Sequence, residues 1–115
     1  MSTVTTHVLD TARGVPAAGV PVRMDRISPG GTVEPVAHGV TDDDGRVKDL
    51  GPDDLAAGVY RLTFDVAGYA AATGQENFFP EVAITFSLIA QDGAVPHHHV
   101  PLLLSPFHYS TYKGS

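Results

Sequence analysis

The sequence predicts an all-β protein, an antiparallel β-sandwich of seven to eight short strands with one short helix. Three observations carry that expectation. Turn-forming residues punctuate the chain closely, with 12 glycines and 9 prolines clustered between β-rich runs. Those runs alternate apolar and polar residues with period 2, as strands with one buried face do. The 115 residues leave room for one modest core, and many short strands around such a core pack as two sheets. A single domain over residues 1–115 is expected, with no internal repeat, low-complexity tract or linker.

The elements follow in chain order. A first strand is read over Thr3–Leu9, where Val8 opposes His7 and Leu9. In the next, Val20, Val22 and Met24 alternate with Arg23 and Asp25. Pro29-Gly30-Gly31 forms a turn before a strand over Thr32–Gly39. The turn Asp42-Asp43-Asp44-Gly45 leads into a short strand, Gly45–Lys48, which ends before the Gly51-Pro52 break. The clearest strand is Val59–Ala67, with Tyr60, Leu62, Phe64 and Val66 on one face and Arg61, Thr63 and Asp65 on the other. A short helix is expected over Gly68–Gly74, because Tyr69-Ala70-Ala71-Ala72 has helix propensity. Val82–Leu88 sets Val82, Ile84, Phe86 and Leu88 against Ala83, Thr85 and Ser87. After the Gln91-Asp92-Gly93 turn come His97–Ser105 and His108–Lys113.

His97–Ser105 has two partly apolar faces. Val100, Leu102 and Leu104 form one, and His97, His99, Pro101 and Leu103 the other. A sandwich strand needs only one apolar face. The second predicts an interface or a binding site, and therefore an oligomer.

Composition narrows the function. Seven basic against thirteen acidic residues leave a net charge of −6, which argues against a nucleic-acid partner. Without cysteine, a disulfide scaffold and thiol catalysis are excluded. No apolar run approaches the ~20 residues that span a bilayer. No basic region followed by an apolar stretch opens the chain, so a cytoplasmic location without a membrane partner is expected.

Candidate chemistry lies in His7, Arg46 and the run His97-His98-His99. On a strand, His97 and His99 share a face about 7 Å apart, twice the ~3.3 Å rise per residue. Three readings stay open for them: metal ligation with a third ligand such as His7, general acid–base catalysis, or a solvated polar face. His7 by itself reads as a solvent-facing strand residue. Arg46 follows a turn of aspartates, where it reads as a surface ion-pair partner or as a clamp for an anion or carbonyl. A Gly-x-Ser-x-Gly elbow, a phosphate loop and a His-Glu-x-x-His helix are all absent.

The residues also carry a family resemblance. Thr6-His7-Val8-Leu9-Asp10-Thr11-Ala12-Arg13-Gly14 resembles the opening strand of the transthyretin-like proteins. His99-Val100-Pro101-Leu102-Leu103-Leu104-Ser105-Pro106 and Tyr109-Ser110-Thr111-Tyr112-Lys113-Gly114-Ser115 are similar to their closing strands. Thr41-Asp42-Asp43-Asp44-Gly45-Arg46 and Gly58-Val59-Tyr60 fit as well, so the resemblance covers essentially the whole chain. The family divides into thyroid-hormone carriers and 5-hydroxyisourate hydrolases of urate catabolism. The hydrolases have the histidine, arginine and histidine found here as His7, Arg46 and His99, and the carriers lack them. Two departures stand out: His98 replaces a usual tyrosine, and Lys113 replaces the arginine of a Tyr-Arg-Gly-Ser ending.

The resemblance implies hydrolytic ring opening of 5-hydroxyisourate to 2-oxo-4-hydroxy-4-carboxy-5-ureidoimidazoline, with no metal and no cofactor. It implies catalytic roles for His7, Arg46 and His99, and substrate contacts from Tyr112, Ser115 and His97. It also implies a homotetramer, a dimer of dimers, whose contact is lined by these faces. A non-enzymatic small-ligand carrier on the same fold and a metal-binding protein using His7, His97 and His99 are the alternatives.

Overall fold

The computed structural model describes residues 2–114. Eight strands and one helix follow in order: β1 (Val4–Asp10), β2 (Val15–Pro16), β3 (Pro21–Ile27), β4 (Val33–Val40), β5 (Gly58–Asp65), α1 (Ala67–Ala72), β6 (Glu81–Leu88), β7 (His98–Leu104) and β8 (Tyr109–Thr111). They form two four-stranded sheets, ordered β2-β1-β7-β8 and β4-β3-β5-β6.

The alternating patterns decide what lies between the sheets. Val22 and Met24 from β3, Tyr60, Leu62 and Phe64 from β5, and Val82, Ile84 and Leu88 from β6 meet Val4 and Val8 from β1 and Val100, Leu102 and Leu104 from β7. Nearly all are removed from solvent, which is the main stabilising contribution of the fold. Among the described residues no helix is long and apolar enough to cross a membrane.

Several elements differ from the sequence expectation. Gly45–Lys48 is not a strand, because only Arg46 bridges to β1. The short β2 pairs with the end of β1 and had no alternating signal, having only two residues. The clearest strand stops at Asp65, and Ala67 already opens the helix, which ends at Ala72 before Gly74 at φ 66°. His97 precedes β7, and Tyr112 and Lys113 follow β8. The sandwich is also not wholly antiparallel: β1 and β7 pair in parallel over seven residues. Period 2 reports which way side chains point but not the direction of a partner strand.

Proline marks two irregularities. Met24 pairs with Ala37 and Asp25 with Pro35, so Val36 is bulged out of edge strand β4 beside a residue that cannot donate to the ladder. In β7, Pro101 interrupts the pairing with β8. Leu102 still faces Thr111, and His99 still faces Gly114, in one continuous register on either side of the gap.

Candidate active site

Strand β1 is buried at alternate positions. Val4, Thr6, Val8 and Asp10 point inward, which leaves Thr5, His7 and Leu9 on the outer face of the sheet. The parallel register sets Thr5 beside His99 and His7 beside Pro101. His7 and His99 therefore lie on one face, one strand and two residues apart, roughly 8 Å between backbones from the strand spacing and rise. His98 points the opposite way and is buried, with Nδ1 donating to the Pro96 carbonyl at 2.7 Å.

The turn before Arg46 delivers the cation. Asp42 Oδ1 accepts the N–H of Asp44 at 2.9 Å and of Arg46 at 3.1 Å. The Asp42 N–H donates to the Arg46 carbonyl at 2.7 Å. The Arg46 N–H is the main reason the Asp42 carboxyl is held below its ordinary value. Gly45 lies at φ 77°, and a Cβ there would stand 2.3 Å from the Val8 carbonyl oxygen, so the turn can press onto β1 only with glycine. Arg46 then bridges to His7 in antiparallel fashion, and bridged partners project to the same face.

His7 Nε2 lies 2.7 Å from the Asp44 carbonyl oxygen. A carbonyl only accepts, so Nε2 carries hydrogen and the neutral ring keeps its lone pair on Nδ1. His99 is half-buried, and its pKa is lowered from the ordinary histidine value. Burial is the largest cause, followed by the charges of Arg46, His7 and His97; a hydrogen bond accepted by the Thr5 backbone acts in the opposite sense. A lowered pKa keeps His99 neutral and able to take a proton at physiological pH.

His97 is exposed, with its ring near-parallel to that of His99 at a centroid separation of 6.5 Å. Tyr112 and Lys113 line an open groove with His99, His98 and the β6 residues Ile84 and Phe86. Tyr112 is 58% exposed. Ser115 lies outside the described residues. Among the described residues no group of three or more His, Asp or Glu is placed to hold a metal ion.

Thr5 and Asp42 carried no sequence signal as site residues, and Gly114 was marked only as part of the Tyr-Lys-Gly-Ser ending. Thr5 Oγ1 lies 2.8 Å from both His97 Nε2 and His99 Nδ1. Gly114 lies against the His99 ring, and Asp42 anchors the Arg46 turn. Alternation did place Thr5 on the face of His7, but nothing local ties it to residues more than ninety positions away.

A smaller concavity between α1 and the β7–β8 turn holds the buried Asp10 and Tyr69. Burial pushes the Asp10 carboxyl up. Hydrogen bonds from Tyr69, the Arg13 N–H, Gln75 and the Ala12 N–H together outweigh it, and the pKa is lowered. This is a satisfied structural network and it holds no histidine.

The sequence model of the HIUase/Transthyretin family matches residues 4–114. A 5-hydroxyisourate hydrolase of Deinococcus radiodurans is 45% identical, over 96% of this chain and 94% of the relative. The structure of Klebsiella pneumoniae 5-hydroxyisourate hydrolase superposes with a TM-score of 0.83 at 37% identity, covering 100% of both chains. Sea bream transthyretin in complex with thyroxine superposes with a TM-score of 0.88 at 30% identity, covering 97% of this chain and 94% of that one.

Proposed function

The chain belongs to the HIUase/Transthyretin family, and from that premise we infer that it is a hydrolase that opens the ring of 5-hydroxyisourate. Fold does not separate hydrolase from carrier, since the transthyretin superposes at least as well as the hydrolase. The hydrolase relatives and the gathering of His7, Arg46 and His99 on one sheet face carry the assignment.

Ring opening adds water to a cyclic amide carbonyl and breaks its C–N bond. Water loses a proton as it attacks, and the leaving nitrogen gains one. His99, held neutral, takes the proton and returns it, with His7 sharing the work from the neighbouring strand. Arg46 holds the substrate and stabilises the developing oxyanion. Tyr112, His97 and Ser115 contact the substrate, and the product is 2-oxo-4-hydroxy-4-carboxy-5-ureidoimidazoline.

The same reading assigns a homotetramer, a dimer of dimers, with the site set into the contact between dimers, and a cytoplasmic location. The partly apolar outer face bearing Leu9, Pro101 and Leu103 supports the contact. Purified protein mixed with freshly generated 5-hydroxyisourate should accelerate decay of its ultraviolet absorbance. A decay no faster than in buffer would identify a carrier instead. Full turnover by a diluted monomer would remove the tetramer from the site.

A further inference from the structure

We propose that Thr5 is a positioning residue for this reaction, its hydroxyl holding His99 as the Nδ1–H tautomer and anchoring that bond on His97. The inference rests on the hydrolase reading above. Thr5 Oγ1 stands 2.8 Å from His97 Nε2 and 2.8 Å from His99 Nδ1. A threonine hydroxyl has one hydrogen to give and lone pairs to receive. When the hydrogen goes to one ring, the other ring donates.

The role of His99 as base selects between the two directions. A base at Nε2 needs the ring hydrogen on Nδ1, the nitrogen that faces Thr5 Oγ1. The Thr5 hydrogen is left for His97 Nε2, and that bond stops the hydroxyl from turning to donate toward His99. His97 then carries its own hydrogen on Nδ1.

The consequence falls on the other edge of His99. With Nδ1 protonated, Nε2 holds the lone pair, and among the described residues no hydrogen bond occupies it. Nε2 takes the proton that the attacking water loses. The resulting imidazolium is stabilised by Thr5 accepting from Nδ1–H, and Nε2–H hands the same proton to the leaving nitrogen. The C–O bond forms, the C–N bond breaks, and His99 returns to its starting tautomer. The charges of Arg46, His7 and His97 each oppose the ionisation of His99, and Tyr112 and Lys113 line the same groove. Thr5 supplies the opposing stabilisation.

Thr5→Val keeps the β-branched shape that suits a strand and removes only the hydroxyl. Thr5→Ser keeps the hydroxyl. The tautomer is read by nitrogen NMR of the histidine rings in the intact protein without substrate. In the wild type and in Thr5→Ser, His99 should be protonated on Nδ1 above its pKa. In Thr5→Val the Nε2–H form should grow and the His99 pKa should fall further. In the hydroxyisourate assay, Thr5→Val should lose roughly 10–100-fold in kcat, the scale of one hydrogen bond to a charged group. KM should stay near wild type, and Thr5→Ser should restore most of the rate. A Thr5→Val protein with the wild-type tautomer, or with wild-type kcat, would overturn the proposal. Wild-type protein without turnover would defeat the hydrolase reading instead, and the NMR comparison would still decide the hydrogen-bond role.

Discussion

Gly114 lies so close to His99 that a Cβ built on it would stand 2.8 Å from the ring carbon Cδ2, 3.0 Å from Cβ and 3.2 Å from Cγ. The Gly114 N–H also donates to the His99 carbonyl at 2.8 Å. Gly114 is thus held along β7 by a backbone bond, and only the absence of a side chain lets it lie there.

Gly114→Ala should therefore displace the His99 ring without unfolding the sandwich. A shift of about 1 Å in a catalytic group costs roughly 10²-fold in rate. The expected result is a loss of that order in kcat/KM with an unchanged circular dichroism spectrum and melting temperature. An alanine variant as active as wild type would show that the ring position is not critical.

Arg46 acts on His99 by charge and, in the proposed mechanism, on the substrate by shape. Arg46→Ala should lower the rate and also raise the pKa of His99, because a nearby positive charge opposes its ionisation. The acidic limb of the kcat/KM profile should move to higher pH. Arg46→Lys keeps the charge and should leave that limb in place while still losing rate, since lysine lacks the guanidinium fork. If the two variants shift the limb equally, charge is not the coupling.

His99→Ala should lose about 10²–10⁴-fold in turnover, the usual contribution of a general acid–base group, while remaining folded. In the wild type, kcat/KM should hold to a pH below 6.5, the ordinary histidine value, before it declines. Stability has the same sign. Folding lowers this pKa, so the unfolded chain binds the proton more readily. The contribution is full above pH 6.5 and fades as pH falls through 6.5 and on through the folded value. A rate profile that declines from above pH 6.5 would assign the limb to another group.

The Asp10 network is expected to matter for stability alone. Tyr69 donates to Asp10 Oδ2 at 2.6 Å, and the carboxylate is 2% exposed. Tyr69→Phe should cost about 1.5–3 kcal/mol in denaturant unfolding, the range for a hydrogen bond to a charged group. Its loss also raises the Asp10 pKa. The stability that Asp10 contributes above pH 3.8 should then be smaller and should disappear at higher pH on acidification. Activity at neutral pH should be preserved, and an equal loss of both would connect this network to the site.

Much of this was legible in the chain. The alternation of Tyr60, Leu62 and Phe64, and of Val82 and Ile84, identified the inner faces that burial bears out. It also turned His98 away from His99. It failed at Gly45–Lys48, where a single bridge to His7 and an aspartate-anchored turn replace a strand, because a turn pressed onto a sheet and a short strand share the same residues.

What the sequence determined by itself was local: which residues alternate, where glycine and proline stop them, and which polar side chains share a face on one strand. Those follow from backbone geometry within a few residues. The tertiary structure decided which strands became neighbours. Parallel pairing of β1 with β7 places His7 beside Pro101 and Thr5 beside His99, over a separation of 94 residues for the Thr5–His99 bond. That register is selected by burying Val4, Val8, Val100 and Leu102 in one core. A slip by one residue would turn those apolar side chains to the wrong face. The site residues on the outer face are held in register by the burial of their neighbours on the inner one.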